Sequence, residues 1–217
     1  MLGLAVFLII SGAIIAAIIY GVQAEKKRRA AIEAAAASLS LGFTATLLEQ
    51  DQALLNKFDL AQHGRNRTAS LATIADSGEL RLVMFDYQYT TGSGKNQQTP
   101  SFSVVLATSR DLQLPQFTLT PESFFHRLGD FFGFKDIDFD DDVQFSDQFQ
   151  LKGSDETAIR QFFTGERRAA MTSLGQVSIE GQGASFLFYR SGRQRDAAHL
   201  SSMIEEGFSI YAKLAKG

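Results

Sequence analysis

An uninterrupted apolar run at the start of the chain constrains its architecture most. Residues 2–22 carry no charge, and Ser11 and Tyr20 are their only markedly polar side chains; the charged sequence 25–29 follows directly. As a helix, these residues extend about 31 Å, which matches the hydrocarbon thickness of a bilayer. The run therefore predicts a transmembrane helix, with the lipid bilayer as the partner of residues 2–22.

The charges flanking this run predict its orientation. A secretory signal peptide carries positive charge before its apolar core, whereas here the basic residues follow it. Positive residues stay on the cytoplasmic side, so we expect the N-terminus outside and the rest of the chain in the cytoplasm. The predicted orientation residues are Lys26, Lys27, Arg28 and Arg29.

The chain after the apolar run is long enough for one domain with a core, or for two small ones. An Ala/Glu/Lys/Arg-rich stretch continues the helix as a stalk, or as a helix folded back, and Gly42 is its predicted stop. The small residues Gly12 and Ala16, four apart, could let two such helices pair into a homo-oligomer. The predicted divisions are a transmembrane helix at 1–23, a helical stalk at 24–42 and a soluble domain at 43–217, with a sub-boundary near 110–120 or 150.

Composition narrows the function classes. The net charge of -3 gives no basic excess for nucleic acid, and the absence of cysteine excludes disulfides and thiolate metal sites. We expect no cofactor. The sequence identifies no catalytic residue.

Alternating apolar residues and turn signals predict antiparallel sheet after residue 65. Strands are predicted at 68–75, 79–90 and 99–108, and the middle one is apolar on both faces, which is typical of a central strand. A hairpin is predicted at 177–180 and 184–190 around glycines. The fold class is therefore α+β: a transmembrane helix followed by antiparallel strands with packed helices.

Helices and turns are expected between and after these strands. Leu114-Pro115 and Thr120-Pro121 predict turns, the second opening a helix through residue 132. Helices are also predicted at 51–58, from about residue 154, and at 195–215. The last carries an apolar stripe of Leu200, Met203, Ile204, Phe208, Tyr211 and Leu214.

Two segments resemble each other. Residues 51–58 and 155–162 share an Asp-to-Phe helical pattern ahead of a strand pair. A duplicated helix-then-hairpin unit would explain the likeness.

Carboxylates between residues 136 and 147 are the candidate metal ligands. Their spacing follows a calcium loop, but Asp141 stands where that loop needs glycine, and the alternation of Ile137 and Phe139 favours an extended, solvated acidic face. The candidates are Asp136, Asp138, Asp140 and Asp147. The sequence 92–95 (GSGK) lacks the flanking residues of a phosphate loop and predicts a hairpin tip.

Asp86 is the other candidate, because it interrupts an apolar strand. A carboxylate there needs a partner, and Arg81 and Arg190 are possible ones. His63, His126 and His199 are scattered and show no ligand spacing.

Several motifs together resemble a family of uncharacterised bacterial proteins with one N-terminal membrane span. They are FDYQY at 85–89, LPQFTLTPE at 114–122, KDIDF at 135–139 and LKGSDE at 151–156. The resemblance implies a membrane-anchored domain in a bacterial inner membrane and assigns no activity.

The predicted function is a non-catalytic binding or scaffold module that recruits a protein partner to the membrane. The alternative is a membrane-anchored hydrolase or metal-dependent enzyme that uses Asp86 or the acidic segment 136–142.

Overall fold

A computed structural model describes residues 2–122, 135–191 and 195–215, with the side chains of the first helix described at Phe7 and from Ile10 onward. Its strands are β1 (Gly42–Thr46), β2 (Arg65–Asp76), β3 (Leu80–Thr90), β4 (Ser101–Ser109), β5 (Leu114–Pro121), β6 (Phe149–Lys152), β7 (Ser178–Gly183) and β8 (Ser185–Ser191). Its helices are α1 (Leu2–Ser38), α2 (Glu49–Leu55), α3 (Val143–Gln148), α4 (Glu156–Phe162), α5 (Gly165–Thr172) and α6 (Leu200–Ala215).

The strands form one eight-stranded sheet in the order β1-β2-β3-β4-β8-β7-β5-β6, and every neighbouring pair is antiparallel. The predicted α+β class with antiparallel sheet is confirmed. The sheet crosses both predicted sub-boundaries, since β4 pairs with β8 and β5 pairs with β7.

Tight turns close the predicted hairpins. Between β2 and β3, Gly78 has a φ of 83° and donates its N–H to Asp76 Oδ1 at 2.8 Å. Between β7 and β8, Gly183 has a φ of 56°, a conformation that favours glycine. The predicted tip between β3 and β4 contains an exposed 3₁₀ turn, Gly94–Asn96.

Strand β3 lies inside the sheet and is covered on both faces, as predicted. Leu82 and Met84 point to what we call the front face, while Val83 and Phe85 point to the back face. The front face carries the second half of α1 together with α4, α5 and α6. The back face carries α2 and the 3₁₀ turn Asp59–Gln62.

Helix α1 joins the apolar run and the charged stretch in one element, as predicted. It ends at Ser38, and Leu41 N–H donates to the carbonyl of Ala36 at 2.9 Å while Ser40 has a φ of 56°. Glycine is the usual residue at such a helix end, so Ser40 occupies the place predicted for Gly42. Ile32 is fully buried on the front face, so the predicted stalk packs on the domain.

No helix among the described residues is long and apolar enough to cross a membrane.

The turns predicted at Leu114-Pro115 and at Thr120-Pro121 are wrong, because both dipeptides lie in β5. Pro115 falls in a register irregularity between Leu114 and Phe117, and Pro121 is the last residue of the strand. Proline is tolerated at such positions because they need no ladder N–H. The helix predicted beyond them, with its stripe of Phe124, Phe125, Leu128, Phe131 and Phe132, lies outside the described residues, as does His126.

Helix α6 packs on the front face through a slightly different stripe from the predicted one. Gly207 and Ile210 are buried, whereas Phe208 is 45 % exposed. An added Cβ at Gly207 would lie only 3.0 Å from Leu82 Cδ1, so the helix approaches the sheet closely there. Phe208, one position on, therefore falls at the rim of the contact.

The two similar segments occupy opposite sides of the sheet. Helix α2 follows the edge strand β1 and packs on the back face, while α4 follows the other edge strand, β6, and packs on the front face. The duplication stays a prediction.

Candidate functional site

Asp86 points to the front face of β3, where two arginines bind it. Arg28 Nη1 donates to Asp86 Oδ2 at 2.6 Å, and Arg195 Nε lies 3.9 Å from Oδ1. The predicted partners were wrong. Arg81 is an odd number of residues from Asp86 in β3, so its side chain points to the opposite, back face. Arg190 lies on β8, two strands from β3, at a distance of roughly 10 Å. They pair instead with Asp51 at 2.5 Å and with Glu206 at 2.5 Å, respectively.

Arg195 is almost completely buried and is held by the sheet backbone. Its Nη1 donates to Thr73 Oγ1 at 3.1 Å and to the carbonyl of Met84 at 2.7 Å, and its Nη2 donates to the carbonyl of Leu71. Leu71 lies in a bulge of β2 with a φ of 54°, which turns its carbonyl toward the guanidinium. Burial lowers the pKa of Arg195 to about 10, and the Asp86 carboxylate opposes this shift.

Arg28 connects helix α1 to this pair. Besides binding Asp86, its Nη1 donates to the carbonyl of Arg195 at 2.9 Å, and its Nε and Nη2 donate to Glu25 at 2.9 and 2.7 Å. The hydrogen bond with Glu25, followed by those with Asp86, raises the pKa of Arg28. We call Glu25, Arg28, Asp86 and Arg195 the charge network.

A cavity of about 90 Å³ lies beside the charge network, between α6 and the front face. Strands β4 and β8, the segment before α6 and the first turns of α6 contribute its walls. Its polar lining is Ser103, Arg190, Arg195, His199, Ser202 and Glu206. Among the described residues, Arg195 Nε has no hydrogen-bond partner.

His199 brings a second pair of side chains in contact to the cavity. Its Nδ1 lies 2.6 Å from Asp196 Oδ1, and Asp196 also accepts the backbone N–H of His199 at 3.2 Å, as the cap of a 3₁₀ turn. Asp196 was not among the predicted site residues, although it precedes His199 by three positions. His63 lies on the back face near Tyr89, and burial lowers its pKa.

In the acidic segment Ile137 and Phe139 are buried while Asp138 and Asp140 are exposed, which is the predicted alternation. Residues 140–141 form a turn, and the described segment 136–142 contains no strand. Asp136 accepts the N–H of Leu151 at 2.9 Å, and partial burial raises the pKa of Asp136. Asp138, Asp140 and Asp147 are exposed. No cluster of three or more potential metal ligands occurs within the described ranges.

The end of the acidic segment binds an arginine. Arg168 donates to Asp141 at 2.8 Å and to Asp142 at 2.9 Å, and its guanidinium lies 4.2 Å from the centre of the Phe139 ring. Asp142 also accepts the N–H of Phe145 at 3.1 Å as the cap of α3. These carboxylates therefore hold α3 and α5 together.

Glu180 is a buried acid on the back face that the sequence analysis missed. Its carboxylate accepts N–H groups of Asp59 at 2.6 Å and Leu60 at 3.1 Å and the hydroxyl of Tyr189 at 3.0 Å. Burial, with the nearby Asp59 carboxylate, raises the pKa of Glu180 to about 8, and the hydrogen bonds oppose this shift. Its place at the start of the turn Asp59–Gln62 indicates a capping role.

Searches against protein-family models, curated proteins and solved structures gave no match.

Proposed function

We propose that the chain is a single-pass protein of a bacterial cell membrane whose α+β domain is a non-catalytic binding module on the cytoplasmic side. One observation carries this proposal: apolar side chains on different sides of α1 are each more than half exposed, while the following turns of the same helix pack on the domain. The exposed residues are Phe7, Ile10, Ile14, Ile15, Ile18, Ile19, Tyr20 and Val22.

Lipid is the environment that suits such a helix. A soluble helix exposes one polar face, whereas a helix that is apolar all round is covered by other apolar matter. Residues 2–22 have the length of a membrane span, and the basic residues after them favour the cytoplasm for the domain. The motifs that resemble those of single-span bacterial proteins agree with this placement, and we propose that the chain belongs to that family.

The cavity beside the charge network is the proposed ligand site. Hydroxyl, imidazole, guanidinium and carboxylate groups line it, and the carboxylate, that of Glu206, is paired with Arg190. Arg195 Nε, 3.9 Å from Asp86 Oδ1, forms no hydrogen bond with a described residue. Since arginine recognises carboxylates and phosphates, the proposed ligand is a compact anion such as a carboxylate. A volume of 90 Å³ admits only a small group.

The alternative, a hydrolase or metal-dependent enzyme, has weaker support. Arg168 binds Asp141 and Asp142, and Asp136 accepts a backbone N–H, so these carboxylates already have structural partners. A protein partner, or a second copy of the chain packed through Gly12 and Ala16, stays proposed as well.

Membrane attachment is tested by placing charge in the exposed apolar part of α1. Each lysine at the centre of a span costs on the order of 3 kcal/mol, so the I14K/I18K variant should leave the membrane fraction on alkaline extraction. The A31K/A34K variant is the matched control, because both alanines are exposed on the same helix beyond the apolar run. Retention of I14K/I18K to the same extent as the control would overturn the proposal.

Ligand binding is tested by calorimetry with acetate and inorganic phosphate on the full chain in detergent. Ser202 lines the cavity and Ser201, its exposed neighbour, does not. We expect S202D to abolish binding by charge repulsion and S201D to preserve it. Equal binding by both variants, or no binding of these anions by the wild type, would contradict the assignment.

A further inference from the structure

A groove lies where α1 leaves the domain, between the helix and the corner formed by β1 and β2. Val22, Lys26 and Arg29 line it from the helix, and Ala45 and Leu71 line it from the strands. The volume of the groove is about 460 Å³, several times that of the cavity under α6.

The helical spacing explains why these residues share one wall. Val22, Lys26 and Arg29 follow each other at four and three residues, which places them on one side of a helix. Arg28 points instead toward the sheet, where it binds Asp86. Lys27 is not part of the groove wall. The four basic residues 26–29 therefore point in different directions: two line the groove, one binds the sheet and one does neither.

The groove is positively charged. Lys26 and Arg29 are both exposed, and neither forms an ion pair with a described residue. Glu25 also lines the groove, but Arg28 holds its carboxylate at 2.7 Å. Two cations without an ion-pair partner among the described residues therefore face a space that Val22, Ala45 and Leu71 line with apolar groups.

The groove also runs from apolar to charged residues along the helix. Val22 belongs to the exposed apolar run, and Lys26 lies about 6 Å further along the axis. A molecule that fills this space needs an anionic group at one end and an apolar body at the other. Phospholipids combine these two properties at the membrane surface.

We propose that this groove binds an anionic phospholipid, with the headgroup phosphate between Lys26 and Arg29 and the start of the acyl chains against Val22 and Leu71. The inference rests on the proposed membrane attachment, which it deepens by naming a lipid class and a site. A specific site differs from a diffuse basic patch, because it depends on Lys26 and Arg29 and not on Lys27.

The test is native mass spectrometry of the full chain in detergent micelles with equal amounts of phosphatidylglycerol and phosphatidylcholine. We expect the loss of one direct contact between a cation and the headgroup phosphate to lower binding roughly fivefold, which corresponds to about 1 kcal/mol. We expect the wild type to retain phosphatidylglycerol preferentially, and K26Q and R29Q each to lower this preference about fivefold. K27Q is the matched control and should bind like the wild type.

Two results would overturn the site: equal binding of both lipids by the wild type, or an equal loss in K27Q and K26Q. The latter would indicate diffuse attraction by the whole cluster. Circular dichroism of each variant checks that the fold is kept. Failure of the proposed attachment would appear separately, as release of the wild type from membranes on alkaline extraction, whatever its lipid preference in micelles.

Discussion

Replacing Asp86 with asparagine should strongly destabilise the domain. The substitution keeps the shape of the side chain but removes the negative charge between Arg28 and Arg195. The Arg195 side chain is 0 % exposed and the Asp86 side chain is 12 % exposed, so Arg195 would keep its charge in the interior without a counter-ion. Removing one partner from a buried ion pair costs about 3 to 5 kcal/mol.

The R28Q variant should cost less, about 1 to 2 kcal/mol, because the Arg28 side chain is 19 % exposed and Asp86 keeps Arg195 nearby. The two changes should not add. With Asp86 already neutral, Arg28 loses the partner that its own replacement would have removed, so D86N/R28Q should cost at least 1 kcal/mol less than the sum.

The assay is urea unfolding of the full chain in detergent micelles, followed by tyrosine circular dichroism. D138N is the control, because Asp138 is exposed, and its unfolding free energy should stay within about 0.5 kcal/mol of the wild type. An unfolding free energy for D86N within 1 kcal/mol of the wild type, or strict additivity in D86N/R28Q, would refute the charge network as a stabilising unit.

Three further predictions concern other parts of the fold. Because the pKa of Glu180 is raised from 4.5 to about 8, the folded state binds more protons than the unfolded state between these pH values, so the contribution of Glu180 to stability falls as pH rises. The urea midpoint should therefore change less between about pH 5 and 8.5 in E180Q than in the wild type, and an equal change in both proteins would contradict the prediction. An added Cβ at Gly181 would lie 2.2 Å from Phe117 Cε1, so G181A should lower the unfolding free energy, measured by urea titration, by about 1 to 3 kcal/mol. G165A is the control and should not lower it, because the nearest atom to its added Cβ would be Arg168 Nη2 at 3.9 Å; equal effects of the two variants would contradict the prediction. S40G should stabilise the fold by about 0.5 to 1 kcal/mol and so raise the melting temperature, because Ser40 has a φ of 56°, which favours glycine. A melting temperature below that of the wild type would contradict this explanation.

Sequence patterns within a few residues predicted the secondary structure where the local residues alone determine it. The double alternation of residues 80–89 placed β3 inside the sheet, and Gly78 and Gly183 marked hairpin turns. The pattern failed at Pro115 and Pro121, because tolerance of proline depends on a bulge and a strand end that only the pairing with β6 and β7 defines.

The candidate site was less predictable, because it depends on which face each residue occupies. Asp86 needed a partner, but its partner Arg28 is 58 positions away in a helix that the sequence assigned to membrane orientation. The spacing of Arg28 with Ile32 and Ala36, at four and eight residues, was the available signal that this side of α1 faces the sheet. Registers and packing angles decide such contacts, and neither follows from composition.

The most direct test of the proposed membrane tether and its orientation uses the absence of cysteine from the natural chain. The D138C variant, at an exposed position of the domain, is treated with a membrane-impermeant maleimide in intact bacteria and again after permeabilisation. The account predicts that the protein sediments with membranes and that position 138 reacts only after permeabilisation. Reaction at position 138 in intact cells would contradict the cytoplasmic placement, and recovery of the protein without membranes would contradict the tether itself.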